Sequence, residues 1–158
     1  MLRALNLLSK KIDFEAVLVG SGILKESLIN YVKKNNINDK VKFINYSTNP
    51  YPLIDQSDLL ILSSKYEGLP NVLLEALVLK KFIISSDCPT GPKEILLNGK
   101  GGLLFKVGNY SELERKIFYY LNNKQICKLM LNNAFNKLGR FDYNLNLKKY
   151  LISVKKFI

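Results

Sequence analysis

The feature that most constrains the fold is a succession of short apolar runs, rich in β-branched and aromatic residues, separated by stretches of helical periodicity. Neighbouring parallel strands need a crossover, and a helix supplies it, so this alternation predicts βαβ units and a mostly parallel sheet with helices on both faces. The pattern predicts helices over 2–10, 23–35, 70–79 and 111–121, and strands over 14–19, 41–44, 58–63, 82–86 and 103–106. Asn49-Pro50-Tyr51-Pro52 opens a brief helical turn, and Pro92 starts a short helix that Gly99 can end in a left-handed cap. Pro70 suits a first helical position, and Asn109 or Ser111 suits the cap before the helix at 111. From Lys124 onward the pattern is helical without strands, in two helices broken near Gly139.

A chain of 158 residues fits one domain and can bury a core of useful size. The expected organisation is a single unit, with its core over 2–122 and a helical extension over 124–158. No uninterrupted apolar run approaches the ~18 residues of a membrane span, and the N-terminus lacks a secretory cleavage pattern, so a cytoplasmic location is expected. Cys88 and Cys127 form neither metal-ligand spacing nor a disulfide framework, and packed thiols are expected.

The net charge of +11 raises nucleic acid or an acidic membrane as partners. Lysine outnumbers arginine 21 to 3, whereas specific phosphate and base readout favours guanidinium, and 17 asparagines indicate a compositional bias instead. Nucleic acid is not expected as a partner. The excess charge lies toward the end of the chain, where eight basic residues from Lys124 to Lys156 face the single acid Asp142. That distribution fits weak contact with an anionic membrane, peripheral at its inner face.

Histidine is absent, which excludes Ser-His-Asp and Cys-His chemistry and most metal sites. What remains is chemistry by carboxylates and backbone dipoles. Two glutamates stand out in YEGLPNVLLEAL, Tyr66 to Leu77. Glu75 is the only charge in a helix apolar on nearly every side, so it is expected to be buried and therefore met by a partner. Either a salt bridge or backbone N–H satisfies it, or it accepts hydrogen bonds from vicinal hydroxyls such as those of a ribose. Glu67 precedes that helix, past the end of a strand, where ligands collect in open α/β sheets. It either complements the helix dipole or faces a ligand. The free N–H groups around Gly68, Leu69, Pro70, Asn71 and Val72 suit a phosphate. Gly20-Ser21-Gly22, between a strand and a helix, is either a tight turn or a close approach to phosphate or sugar. It lacks the third glycine of the dinucleotide fingerprint, and no G-x-x-x-x-G-K-[ST] loop is present.

LVGSG at Leu18, VKFI at Val41, DLLILSSKYEGLPNVLLEAL from Asp58 and SSDCPTGPKEILLNGKGGLLF from Ser85 together resemble the C-terminal domain of glycosyltransferase family 4. The signature is glutamate, seven residues, glutamate, with Gly68-Leu69-Pro70 inside it. The resemblance implies the Rossmann-like C-terminal half of a GT-B fold and retaining transfer of a hexose or N-acetylhexosamine from a UDP- or GDP-sugar. The acceptor would be a glycan or lipid-linked glycan of surface polysaccharide assembly. It implies that Glu75 holds the ribose hydroxyls and that Glu67, taken as the catalytic carboxylate, lies beside the sugar. Backbone amides from Leu69 to Leu73 would take the diphosphate, while Gly20, Ser21 and Gly22 approach the donor and Tyr46 borders the base. Gly91, Pro92 and Glu94 match a recurrent signature with a mainly structural role. No cofactor and no bound metal are implied.

The sequence departs from the family pattern in two places. Family members supply an arginine and a lysine to the diphosphate from a strand and loop just before the segment matching Leu2 to Leu8, and Met1 falls inside the matching helix. The expectation is therefore a donor-binding half that needs an N-terminal-domain partner chain; the alternative is an inactive remnant or nucleotide-binding module. Arg3, Lys10 and Lys11 are assigned to a solvated helix face. An edge or apolar face of the sheet is expected to be left open. Lys80-Lys81 also stands where a glycine and a proline usually separate helix from strand.

Overall fold

The computed structural model describes residues 1–156. Five strands alternate with helices: α1 (Leu2–Leu8), β1 (Ala16–Val19), α2 (Lys25–Lys34), β2 (Val41–Ile44), α3 (Tyr51–Gln56), β3 (Leu59–Leu62), α4 (Asn71–Val78), β4 (Phe82–Ser86), α5 (Pro92–Ile95) and β5 (Leu103–Phe105). Three helices follow, α6 (Tyr110–Asn122), α7 (Lys124–Phe135) and α8 (Tyr143–Val154). Every strand pairing is parallel, and helices cover both faces in a Rossmann-like arrangement. The strands do not form one sheet, however. β1 pairs with β2, β3-β4-β5 form a second sheet, and β1 and β3 are not paired with each other.

β4 is buried along its whole length, as the apolar run FII requires of a central parallel strand. Leu73, Ala76 and Leu77 of α4 repeat at helical spacing and pack toward it with Ile95, Leu96 and Leu113 in one core. α4 gathers α3, α5 and α7 around it, whereas α1 lies against α2 and α6. Tyr120 of α6 stacks on Phe82 at 5.1 Å between ring centroids and 7° between planes, and its hydroxyl donates to the Asp58 carbonyl at 2.7 Å. This one side chain ties α6 to the N-terminal ends of β3 and β4.

Local signals behave largely as read. Asn109 caps α6, its side chain accepting from the Glu112 N–H at 3.0 Å. Gly99 has φ +87° after the short helix, and a 3₁₀ turn at Leu138–Phe141 breaks the C-terminal helices around Gly139. The turn at Lys80-Lys81 forms without glycine. Lys80 adopts φ 53°, the Lys80 N–H donates to Leu77 O at 2.9 Å and the Lys81 N–H to Ala76 O at 2.8 Å, the paired bonds that close a helix C-terminus. Pro70 is a correction: it sits one residue before α4 with ψ 98°, extended and buried, its Cδ beside Gly91 of the loop after β4.

In the C-terminal extension, α7 buries Cys127, Leu131 and Ala134, and burial pushes the Cys127 thiol pKa up. Arg140 donates to the carbonyls of Glu94 and Ile95 at 2.6 and 3.0 Å, fastening the break to α5. α8 has no buried residue, and the last two residues of the expected extension, Phe157 and Ile158, lie outside the described ones. No described helix is long and apolar enough to cross a membrane.

Candidate functional site

Within each sheet the parallel strands place their following loops at one edge, and the sequence-predicted site residues lie in such loops or on the helix that starts from one. Gly20, Ser21 and Gly22 follow β1, Tyr46 follows β2, and Glu67 to Pro70 follow β3 and lead into Asn71, Val72 and Glu75 of α4. Gly20 has φ +141°, a conformation that side-chain-bearing residues rarely adopt, while its N–H still continues the ladder to Ile44 O at 3.0 Å. Gly20, Ser21, Gly22 and Gly68 are exposed, and Tyr46 is 75% exposed. A Lys25 to Asn45 side-chain hydrogen bond, which the sequence did not signal, joins the start of α2 to the loop after β2.

The loop carrying Glu67 is held from behind by the loop after β4. Thr90 donates its hydroxyl to the Glu67 carbonyl. Gly91, at φ +81°, lies so close that a Cβ there would stand 2.4 Å from both the Gly68 carbonyl oxygen and Pro70 Cδ. The Gly91-Pro92 pair in the sequence marks this contact, and the partner it presses on emerges only from the fold. Within α4 the first interior bond runs from the Leu73 N–H to Pro70 O at 3.0 Å, so the N–H groups of Asn71 and Val72 precede it at the positive end of the helix.

The expectation of a buried Glu75 is corrected. α4 is not enclosed on all sides, since Val78 is 61% exposed, and Glu75 is only half-buried. Water can reach its carboxylate, which removes the need for an internal partner. The five ion pairs among the described residues engage Glu114, Asp13, Glu15, Asp55 and Asp87, and neither Glu67 nor Glu75. The buried carboxylate is Glu114 on α6, with its side chain 9% exposed and Oε1 2.7 Å from Lys11 Nζ. Lys11 therefore belongs to an ion pair and not to a purely solvated face.

Arg3 is exposed, as the solvated-face assignment requires. It lines a cleft of about 660 Å³ together with Leu18 of β1, Tyr31 of α2, Lys65 after β3 and Tyr110 of α6, and its guanidinium lies 5.7 Å from the centroid of the Tyr110 ring. Neither Glu67 nor Glu75 lines this cleft. Among the described residues no cluster of His, Cys, Asp and Glu has metal-binding geometry.

Residues 1–137 match the family described as glycosyl transferases group 1. The chain belongs to this family. The group 1 glycosyl transferase fold is that of a GT-B C-terminal domain. The chain superimposes on Staphylococcus aureus TarM, solved with UDP, with a TM-score of 0.83 at 23% identity, covering 94% of this chain and 31% of that one. It matches Anabaena Alr3699/HepE, also solved with UDP, at a TM-score of 0.82 and 19% identity, covering 99% of this chain and 44% of that one. In sequence, the chain is 32% identical over 143 residues, 89% of its length, to a Campylobacter jejuni GalNAc-alpha-(1->4)-GalNAc-alpha-(1->3)-diNAcBac-PP-undecaprenol alpha-1,4-N-acetyl-D-galactosaminyltransferase. It is 28% identical over 132 residues, 84% of its length, to a second transferase of that organism, named for adding N-acetylgalactosamine in a diphospho-undecaprenol-linked glycan. The chain spans 39% and 36% of the lengths of these two relatives.

Proposed function

We propose that this chain is the donor-binding half of a retaining, family 4 glycosyltransferase, which moves a hexose or N-acetylhexosamine from a UDP- or GDP-sugar to a glycan or lipid-linked acceptor in surface polysaccharide assembly. The observation that supports this reading is that the Gly20–Gly22 turn, Tyr46 and the Glu67 to Pro70 loop that leads into α4 each follow the C-terminal end of a parallel strand. The relatives' names supply the acceptor class.

In this reading the Glu75 carboxylate accepts hydrogen bonds from the ribose hydroxyls. The N–H groups of Asn71 and Val72, with the α4 dipole behind them, stabilise charge that builds on the diphosphate as the anomeric C–O bond breaks. The acceptor hydroxyl attacks on the face the diphosphate leaves and gives its proton to the departing oxygen, so configuration is retained and Glu67 steadies the oxocarbenium-like sugar without bonding to it. No metal or cofactor takes part. The remaining diphosphate contacts and the acceptor site belong to an N-terminal-domain partner, and the complex works on the cytoplasmic side, with the basic C-terminal region resting against anionic lipid.

Calorimetry tests the reading. UDP, GDP or one of their sugars should bind the wild-type chain, and Glu75→Ala should weaken that binding about tenfold or more, the loss of one or two charge-assisted hydrogen bonds. Absence of binding at millimolar ligand would reject it. A second reading, the alternative that the sequence leaves open, is a nucleotide-binding module that transfers nothing. Transfer assays with and without the partner divide the two.

A further inference from the structure

A second cavity lies at the edge of the sheet opposite the loop that carries Glu67. Asp58 stands immediately before β3 and Phe82 begins β4, and both line it, so it opens where these parallel strands start rather than where they end. Its aromatic lining is fixed, because the Tyr120 ring stacks on Phe82 and the Tyr120 hydroxyl donates to the Asp58 carbonyl. One wall is a stripe of α7, Lys124, Cys127, Lys128 and Leu131, at the i, i+3, i+4, i+7 spacing of a single helix face. Lys80, from the turn after α4, lines it as well.

α7 distributes polarity against the usual rule for a surface helix. Ile126 and Leu129 are 48% and 66% exposed, while Lys124 and Lys128 share the cavity-lining stripe with the buried Cys127 and Leu131. Two of the cavity's cations are placed by aromatic rings and not by carboxylates. Lys124 Nζ lies 3.5 Å from the centroid of the Tyr120 ring and Lys80 Nζ 5.0 Å from that of Phe135, both within the ~6 Å reach of a cation–π contact. A ring face engages one side of an ammonium, which carries three donors, and leaves the rest free. Among the described residues none of Lys80, Lys124, Lys128 and Asp58 enters an ion pair. The cavity therefore gathers three ammonium groups and one carboxylate, and two positive charges are left without a counter-charge.

Size decides what can compensate them. A volume of about 130 Å³ holds roughly four waters at ~30 Å³ each and is well below the ~300 Å³ of ordinary small-molecule pockets. A nucleotide does not fit, whereas one tetrahedral oxyanion does. We propose that this cavity binds a single phosphoryl group in its dianionic form, carried by inorganic phosphate or by the end of a phosphate monoester. Lys80, Lys124 and Lys128 donate charge-assisted hydrogen bonds to its oxygens, and the Asp58 carboxylate limits the uncompensated charge to that of a dianion. Neither Glu67 nor Glu75 lines this cavity, so the site stands independently of the donor reading.

The test is amide NMR on the whole chain titrated with inorganic phosphate, with sodium chloride adjusted to hold ionic strength constant. The amides of Lys80, Lys124 and Lys128 should shift saturably with a midpoint of about 1 mM or lower. Lys124→Gln and Lys128→Gln should each weaken binding on the order of tenfold, the loss of one charged donor. The paired variant Lys148→Gln, Lys149→Gln removes twice that charge from α8 and should change the midpoint by less than about twofold, since distant exposed charges are screened. All four lysines are exposed, so the core is left intact in every variant. Shifts that do not saturate by about 10 mM phosphate, or that chloride alone reproduces, overturn the proposal, as does an equal loss in the α8 pair. Glycerol 3-phosphate titrated in parallel separates the two sources. Tighter binding than phosphate assigns a monoester, equal or weaker binding assigns the free ion, and both uphold the site.

Discussion

Lys11 Nζ stands 2.7 Å from Glu114 Oε1, across 103 residues of chain, and this contact closes the turn after α1 onto α6. Glu114 is nearly shut from solvent whereas Lys11 keeps half its surface in water, so the lysine is the cheaper partner to hold and the carboxylate the costlier one to abandon. Lys11→Met should destabilise the fold by about 1–3 kcal/mol, as an acceptor is left unpaired, while the double variant Lys11→Met, Glu114→Gln should recover part of that. Urea titration of the wild type and the two variants checks both.

Gly91 cannot carry a side chain without moving Gly68 or Pro70. A Cβ at 2.4 Å from two heavy atoms, in a left-handed conformation, should cost about 2–4 kcal/mol in Gly91→Ala and displace the start of α4. Nucleotide affinity should fall with stability, whereas Thr90→Val, which removes the hydroxyl bonds to the Glu67 and Pro89 carbonyls, should lower affinity with a loss of about 1 kcal/mol or less. Thermal melts beside calorimetry separate the two effects.

Tyr120 combines a stack on Phe82 with a hydroxyl bond to Asp58. Tyr120→Phe keeps the stack and should cost about 1 kcal/mol, and Tyr120→Ala should cost about 3–5 kcal/mol through the cavity it leaves. A melting series showing equal losses for the two would contradict this division.

Asp13 is fully exposed and hydrogen-bonded to Lys40, which lowers its carboxyl pKa below 3.8 first through that bond and then through charge. Because the folded value is depressed, the contribution is present above the unfolded pKa and lost as pH falls through the folded one. An NMR titration should place the Asp13 midpoint under 3.8 in the wild type and return it toward that value in Lys40→Met.

Much of this protein is local, and local patterns can be read from the chain. Phe82–Ser86 is a strand because FII is β-branched and aromatic between turn signals, and α6 starts where Asn109 can accept the Glu112 N–H. The glutamate spacing likewise points to a glycosyltransferase C-terminal domain, since Glu67 and Glu75 bracket a loop and a helix whose order is written in sequence. What tertiary structure alone decided is which polar groups lose their water. Glu75 looked enclosed because six of its eight helix residues are apolar, yet burial depends on what packs over a helix, and nothing covers Val78. Glu114, unremarked in an ordinary amphipathic helix, became the buried charge because α1 folds back over it. The split of the strands into two sheets is of the same kind: periodicity makes strands, but pairing joins residues far apart in sequence, and only the assembled fold reveals that β1 pairs with β2 while β3 pairs with β4.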